Sequence, residues 1–155
     1  MGFGVWSSGF EKKLKMATIT KFEDLRIWQE SRKVCQMILV FIRKPEFSKD
    51  FSLKDQIRRS SGSCMDNIAE GFSREGNKEF KNFLSIAKGS IEETRSQLYR
   101  ALDSGYISQF EFETCNNCCD KLSRQINSFM RYLKDSDYKG NKFSEPQEDY
   151  GVKDS

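Results

Sequence analysis

The apolar positions of this chain recur at helical spacing through four segments separated by short polar breaks. The clearest runs from Phe80, where Phe80, Leu84, Ala87, Ile91, Thr94, Leu98 and Ala101 alternate steps of four and three, the seam of a bundle or coiled coil. Cys115, Cys118, Leu122, Ile126, Phe129 and Leu133 follow at the same kind of spacing, so these two segments can bury their stripes in one shared core. An earlier segment places Ile57, Ser61, Cys64 and Ile68 on a core stripe.

Punctuation sets the expected boundaries. The first helix spans about Asp24 to Lys44, behind a capping box of Thr20 with Glu23, and Pro45 ends it. The second starts near Leu53 behind Ser52 and closes at Gly71, read as a left-handed cap. The third starts behind Asn77 and runs to about Ser104, with Gly105 closing it, and the fourth opens on a capping box of Ser108 with Glu111. No strand pattern competes, and the short connections force antiparallel neighbours. The expected fold is therefore all-α, an antiparallel up-down-up-down four-helix bundle over residues 21–134. Residues 1–20 read as a disordered extension and residues 135–155, polar and aperiodic, as a disordered acidic tail.

The second helix carries the pattern that asks for a function. On a wheel of 100° per residue, Gln56, Arg59, Ser63, Asn67 and Glu70 fall together on one flank of the core stripe. A solvated helix face can carry such residues by chance. Asn67 tips the reading the other way, because a mid-helix Asn is a poor helix former. Polar groups on a flank need partners when a second helix or subunit covers them, and the short residues Ser60, Ser61, Gly62 and Ser63 let a neighbouring backbone come close. The ladder reads as a packing interface.

Composition changes this picture little. With 155 residues, one domain with a real core is expected; 37% apolar and 32% charged residues with 2 Pro fit a charged helical protein. The net charge of +3 neither demands nor excludes a polyanionic partner. Its distribution is +3 before Phe22, +3 from Phe22 to Lys134, and −3 beyond, so the tail offsets a modest excess on the body. On the third helix Lys81, Lys88 and Arg95 recur every seven residues, with Arg74 and Lys78 near its start and Arg58 as an extension from the second helix. Such a flank can meet phosphates, or make the inter-helix ion pairs common at bundle edges.

Other chemistry is poorly supplied. There is no His, so the commonest acid–base group is missing, as are the Glu-x-x-His pairs of di-iron bundles and a partner for a Cys nucleophile. Glu92 and Glu93 point to different helix faces. No catalytic residue is assigned and no enzyme is expected. Cys115-Asn116-Asn117-Cys118-Cys119 looks like a metal or redox fragment, but structural zinc needs four ligands at one point. Cys35, Cys64, Cys115 and Cys118 instead fall on apolar stripes, as buried reduced thiols do. No metal and no cofactor are expected. The longest apolar run, Met37 to Ile42, is too short to cross a membrane. No secretory signal is visible, and Trp6 stands where myristoylation requires Ser or Thr. A cytoplasmic protein is expected, and Met16 is an alternative start.

The stretches FEDLRIWQESRKV, LKDQIRRSSGSCMDNIAEGFSR and EFKNFLSIAKGSIEETRSQL carry a resemblance. They are similar to the four-helix-bundle family of proteins encoded in intervening sequences of bacterial 23S ribosomal RNA genes, through Leu25 with Trp28, Gln56 with Arg59, the Asn67-Ile68-Ala69-Glu70-Gly71 block, and Ala87 with Gly89, Ser90 and Glu93. The chain departs at Ser60 and Ser61, where that family tends to Ala, and at Ser73, where Gly is usual. The resemblance covers about Phe22 to Leu133 and implies a bundle that assembles as a ring-like homopentamer without catalytic chemistry. A related branch, the accessory protein of diversity-generating retroelements, implies binding of nucleic acid and a nucleic-acid-processing protein through a basic surface. The expected partners are thus copies of the chain itself, RNA or DNA, or such a nucleoprotein. The alternative is a protein scaffold with no nucleic acid bound.

Overall fold

The structure is a computed structural model that describes residues 18–135 and residue 145. The two terminal segments expected to be disordered lie otherwise outside the described residues. A 3-10 turn, Phe22–Asp24, leads into α1 (Arg26–Ile42), a short α2 (Pro45–Lys49), α3 (Phe51–Ser73), α4 (Asn77–Asp103) and α5 (Gln109–Asp135). The four long helices form a ring of neighbours, α1 on α3, α3 on α4, α4 on α5 and α5 back on α1. Their stripes meet in one core, in which Ile27, Ile38, Ile57, Ile68, Phe80, Leu84, Ile91, Leu98 and Phe129 are all fully buried. The all-helical bundle read from the periodicity is the fold.

The expected α4 seam is buried in full, from Phe80 to Ala101. On α5 the buried positions are Cys115, Cys119, Leu122, Ile126, Phe129 and Leu133, whereas Cys118 is half-buried. The sequence reading chose the wrong member of an adjacent cysteine pair. Steps of four, three, four, three and four from Cys115 keep the stripe in line, and only Cys119 satisfies the first of them.

Several helix ends differ from expectation. Leu25, not Thr20, is the N-cap of α1, and it makes no side-chain cap bond. Lys44 is extended, as a residue before proline must be, but Pro45 then opens α2 at its first position. That short helix buries Phe47 completely and stacks it on Tyr106 at 5.0 Å. α3 starts two residues earlier than the Ser52 cap implied, because Asp50 accepts the Leu53 N–H at 3.1 Å.

Gly71 is not a left-handed cap. It lies inside α3, which continues to Ser73, and a Cβ built there would sit 2.6 Å from Phe83 Cβ. Glycine is needed at this position for the close approach of α3 to α4. The left-handed residue of the α3–α4 turn is Gly76, at φ 90°.

Two ends match their motifs closely. Gly105 is left-handed at φ 76°, with Gly105 N–H bonded to Leu102 C=O at 2.9 Å and Tyr106 N–H to Ala101 C=O at 3.0 Å, a Schellman motif. At the start of α5, Ser108 N–H donates to Glu111 Oε1 at 2.9 Å and Glu111 N–H to Ser108 Oγ at 3.1 Å, the reciprocal capping box. Lys44 also pairs with Glu111, tying the end of α1 to the start of α5 and fixing the two helices antiparallel.

Candidate functional site

The outward face of α3 is a shallow groove of about 530 Å³ lined by Asp55, Arg58, Arg59, Gly62, Ser63, Asp66 and Asn67. These residues repeat at steps of three, one, three, one, three and one, a single helix face, and Arg59 pairs with Asp55 at 3.0 Å along it. The face borders the α3–α4 seam. Ser63 Oγ meets Ser90 Oγ of α4 at 2.9 Å, and Asn67 Nδ2 donates to Ser63 C=O at 2.8 Å and to Ser63 Oγ at 3.1 Å.

The polar ladder therefore divides. Its middle rungs, Ser63 and Asn67, are half-buried and bonded to each other and to Ser90. Its outer rungs are exposed and paired locally or to α4. Gln56 Oε1 accepts from Arg100 at 2.8 Å, Arg59 meets Asp55, and Glu70 pairs with Arg74 at 2.9 Å. Asn67 thus has a reason to sit mid-helix: its amide occupies a carbonyl and a hydroxyl one turn back, at the mouth of the seam.

Beneath the ladder lies a buried polar cluster that the sequence reading missed. Ser60 Oγ donates to Gln97 Oε1 at 2.6 Å and lies 2.8 Å from Thr94 Oγ1, while Gln97 Nε2 reaches Glu93 Oε1 at 3.2 Å. Ser60, Thr94 and Gln97 are all buried. A signal was present, since Thr94 occupies a seam position and Ser60 stands where Ala was expected; a hydroxyl on each of two facing stripes suggests that they meet.

Two glycines on this side are not required by any close contact among the described residues. Gly62 and Gly89 lie inside α3 and α4, and a Cβ added to either would meet nothing within 4 Å. Each immediately precedes a member of the Ser63–Ser90 pair that bridges the seam. Each costs its helix about 0.8–1 kcal/mol relative to Ala. Ile86, one turn from Ser90 on α4, is 52% exposed nearby.

The six basic residues singled out from the sequence do not form one patch. Lys88 and Arg95 lie on the α5 side of α4, where Lys88 Nζ reaches Asn127 Oδ1 at 3.3 Å. Arg95 meets Asn116 at 3.1 Å, Glu92 at 3.1 Å and Asp120 at 3.4 Å. Lys81 continues this flank and is half-buried, and Lys78 is exposed at the start of α4. Arg74 closes α3, with its guanidinium 5.2 Å from the Phe83 ring centroid. Arg58 stands apart in the α3 groove. Among the described residues, Arg58, Lys78 and Lys81 have no ion-pair partner.

The five cysteines are free thiols. Burial pushes the Cys35 thiol up to about 11 and the Cys64 thiol up to about 12, and it raises Cys118 as well. A hydrogen bond with Cys115, together with burial, holds Cys119 protonated. These groups are poor nucleophiles at neutral pH. Among the described residues no three His, Cys, Asp or Glu side chains are arranged to hold a metal ion, and no helix is long and apolar enough to cross a membrane.

Comparison with known proteins bears on this arrangement. A crystal structure of a protein of unknown function from the S23 ribosomal protein family of Bacteroides thetaiotaomicron VPI-5482 superposes with a TM-score of 0.63 at 25% identity, covering 68% of this chain and 98% of that one. No curated protein matches. The family model described as 23S rRNA-intervening sequence protein matches residues 23–128, which include the α3 groove, the α3–α4 seam and the basic flank of α4. The chain belongs to the 23S rRNA-intervening sequence protein family.

Proposed function

We propose that this protein works without catalytic chemistry of its own, by assembling with copies of itself through the outer face of α3 and its seam with α4. The observation that carries the reading is the pair of mid-helix glycines, Gly62 half-buried and Gly89 exposed, at which an added Cβ would meet nothing within 4 Å among the described residues. A residue that weakens its own helix is accounted for when a second backbone packs where its side chain would be. Ser63 and Asn67 border that spot and supply polar groups for such a contact, and the exposed Ile86 supplies apolar area. A closed ring is the form of assembly proposed, with five copies as the specific number and the cytoplasm as its location.

Assembly is also what makes a nucleic-acid role tenable. On one chain Lys88 and Arg95 are engaged by α5 and Arg74 by Glu70, which leaves Arg58, Lys78 and Lys81 without ion pairs among the described residues. Three cations make a weak field, and their repetition around a ring makes a strong one. RNA, DNA or a nucleoprotein is the ligand class proposed, bound by charge and shape rather than by base reading.

Light scattering on the purified protein tests assembly directly, the proposal being a particle of five 18.1 kDa chains. Gly62→Leu meets open space within the chain and should leave its helicity intact while lowering the particle mass. A monomeric wild-type protein, or a Gly62→Leu variant of unchanged mass, would reject this face as the contact. The ratio of absorbance at 260 and 280 nm, followed by a salt titration, tests the ligand. Binding should weaken steeply as salt rises; an assembled particle that captures protein and never nucleic acid is the scaffold alternative.

A further inference from the structure

α1 begins without a cap from its own neighbourhood. Leu25, at φ −70° and ψ 126°, has no polar side chain to offer the first turn. The first two amides of the helix are nevertheless bonded. Arg26 N–H donates to Glu145 Oε2 at 2.6 Å and Ile27 N–H to Glu145 Oε1 at 3.0 Å, across separations of 119 and 118 residues.

The chemistry is that of an anion held at a helix N-terminus. Adjacent N–H groups point along the axis, the helix dipole favours negative charge there, and the two oxygens of one carboxylate take one donor each. Ile27 is fully buried, so its amide has restricted access to water as an alternative acceptor. Glu145 is itself half-buried. The topology permits the contact. α5 runs antiparallel to α1, as the Lys44–Glu111 pair requires, so Asp135 finishes at the end of the bundle where α1 starts. The ten peptide steps from Asp135 to Glu145 can span up to about 35 Å.

We propose that the N-terminus of α1 is an intrachain carboxylate-binding site whose resident ligand is Glu145, held at the end of the bundle where α1 begins and α5 finishes. The bond supplies from the far end of the chain the cap that Thr20 and Glu23 do not provide. Release of Glu145 returns to the surface two helix-terminal donors of the kind that carboxylates and phosphates bind.

Amide hydrogen exchange followed by NMR on the full chain tests the site. In the wild-type protein the Arg26 and Ile27 amides should be protected, and Glu145→Ala should speed their exchange by about fivefold or more, the scale of a lost helix cap. Glu145→Gln, which keeps the acceptor and loses the charge, should fall between. The Val34 and Ile38 amides, mid-helix and buried, should not change in either variant. Exchange of Arg26 and Ile27 at unprotected rates in the wild type overturns the proposal without any variant, as does equal protection in Glu145→Ala. Isotope-labelled Glu145→Ala chains mixed with excess unlabelled wild type separate the two geometries. Unrestored exchange supports the intrachain site, and restored protection overturns it in favour of a Glu145 reaching between copies.

Discussion

Replacing Gly71 by Ala is the most direct test of how α3 and α4 are held together. The residue is helical and carries no positive φ, so Ala is allowed by the backbone and should by propensity add about 0.8–1 kcal/mol of stability. Packing opposes this. The new Cβ would sit 2.6 Å from Phe83 Cβ and 3.1 Å from Phe80 Cδ1. Phe83 Cβ is bonded directly to the α4 backbone, so no rotamer change removes it and the helix itself must shift. Phe80 cannot give way freely either, being fully buried with its ring centroid 6.0 Å from that of Phe72 and 5.3 Å from that of Phe129. Overpacking of this kind costs about 1–3 kcal/mol. The net expectation is a loss of up to about 2 kcal/mol, the packing term exceeding the propensity gain. Urea denaturation followed by circular dichroism, at one fixed protein concentration so that assembly does not enter the comparison, measures the difference. A Gly71→Ala protein equal to or more stable than wild type, at unchanged m-value, would refute the close approach of the two helices.

Three further outcomes follow from the same packing. Ser60→Ala should destabilise by about 1–2 kcal/mol because Gln97 Oε1 loses its buried donor, and the added changes Thr94→Val and Gln97→Leu should recover part of that in the same denaturation assay. The Asp50 carboxyl is held below its ordinary 3.8 by the Leu53 amide and the Tyr106 hydroxyl, and Glu111 below its ordinary 4.5 by Lys44 and Ser108. Folded values below unfolded ones mean that this stabilisation is present above those ordinary values and is lost as the pH falls through the depressed ones. The melting temperature should accordingly drop on acidification from pH 5, with a shallower slope in Glu111→Gln. Thiol titration of the native protein at neutral pH should find Cys64, Cys115 and Cys119 unreactive and Cys35 and Cys118 slow, with all five reacting in denaturant; fast reaction of all five in the native protein would contradict the burial.

The sequence by itself determined the four long helices, because burial on one side imposes the 3.6-residue period that Phe80 through Ala101 display. It also determined the ends closed by local chemistry. Ser108 with Glu111 and the left-handed Gly105 involve only neighbours in the chain, so their residue types announce them. What only the tertiary structure decided concerns contacts between distant segments. Whether Gly71 serves conformation or close approach depends on Phe83 lying opposite, and nothing near Gly71 in the sequence says so. The polar ladder was legible as a line of residues, but its division into bonded inner rungs and exposed outer ones needed Ser90 and Arg100 from α4. The cations were legible as a heptad repeat, while their engagement by Asn116, Asp120 and Asn127 needed α5 beside them. Periodicity tells each helix which side to bury; only the packed bundle tells a flanking side chain which partner it meets.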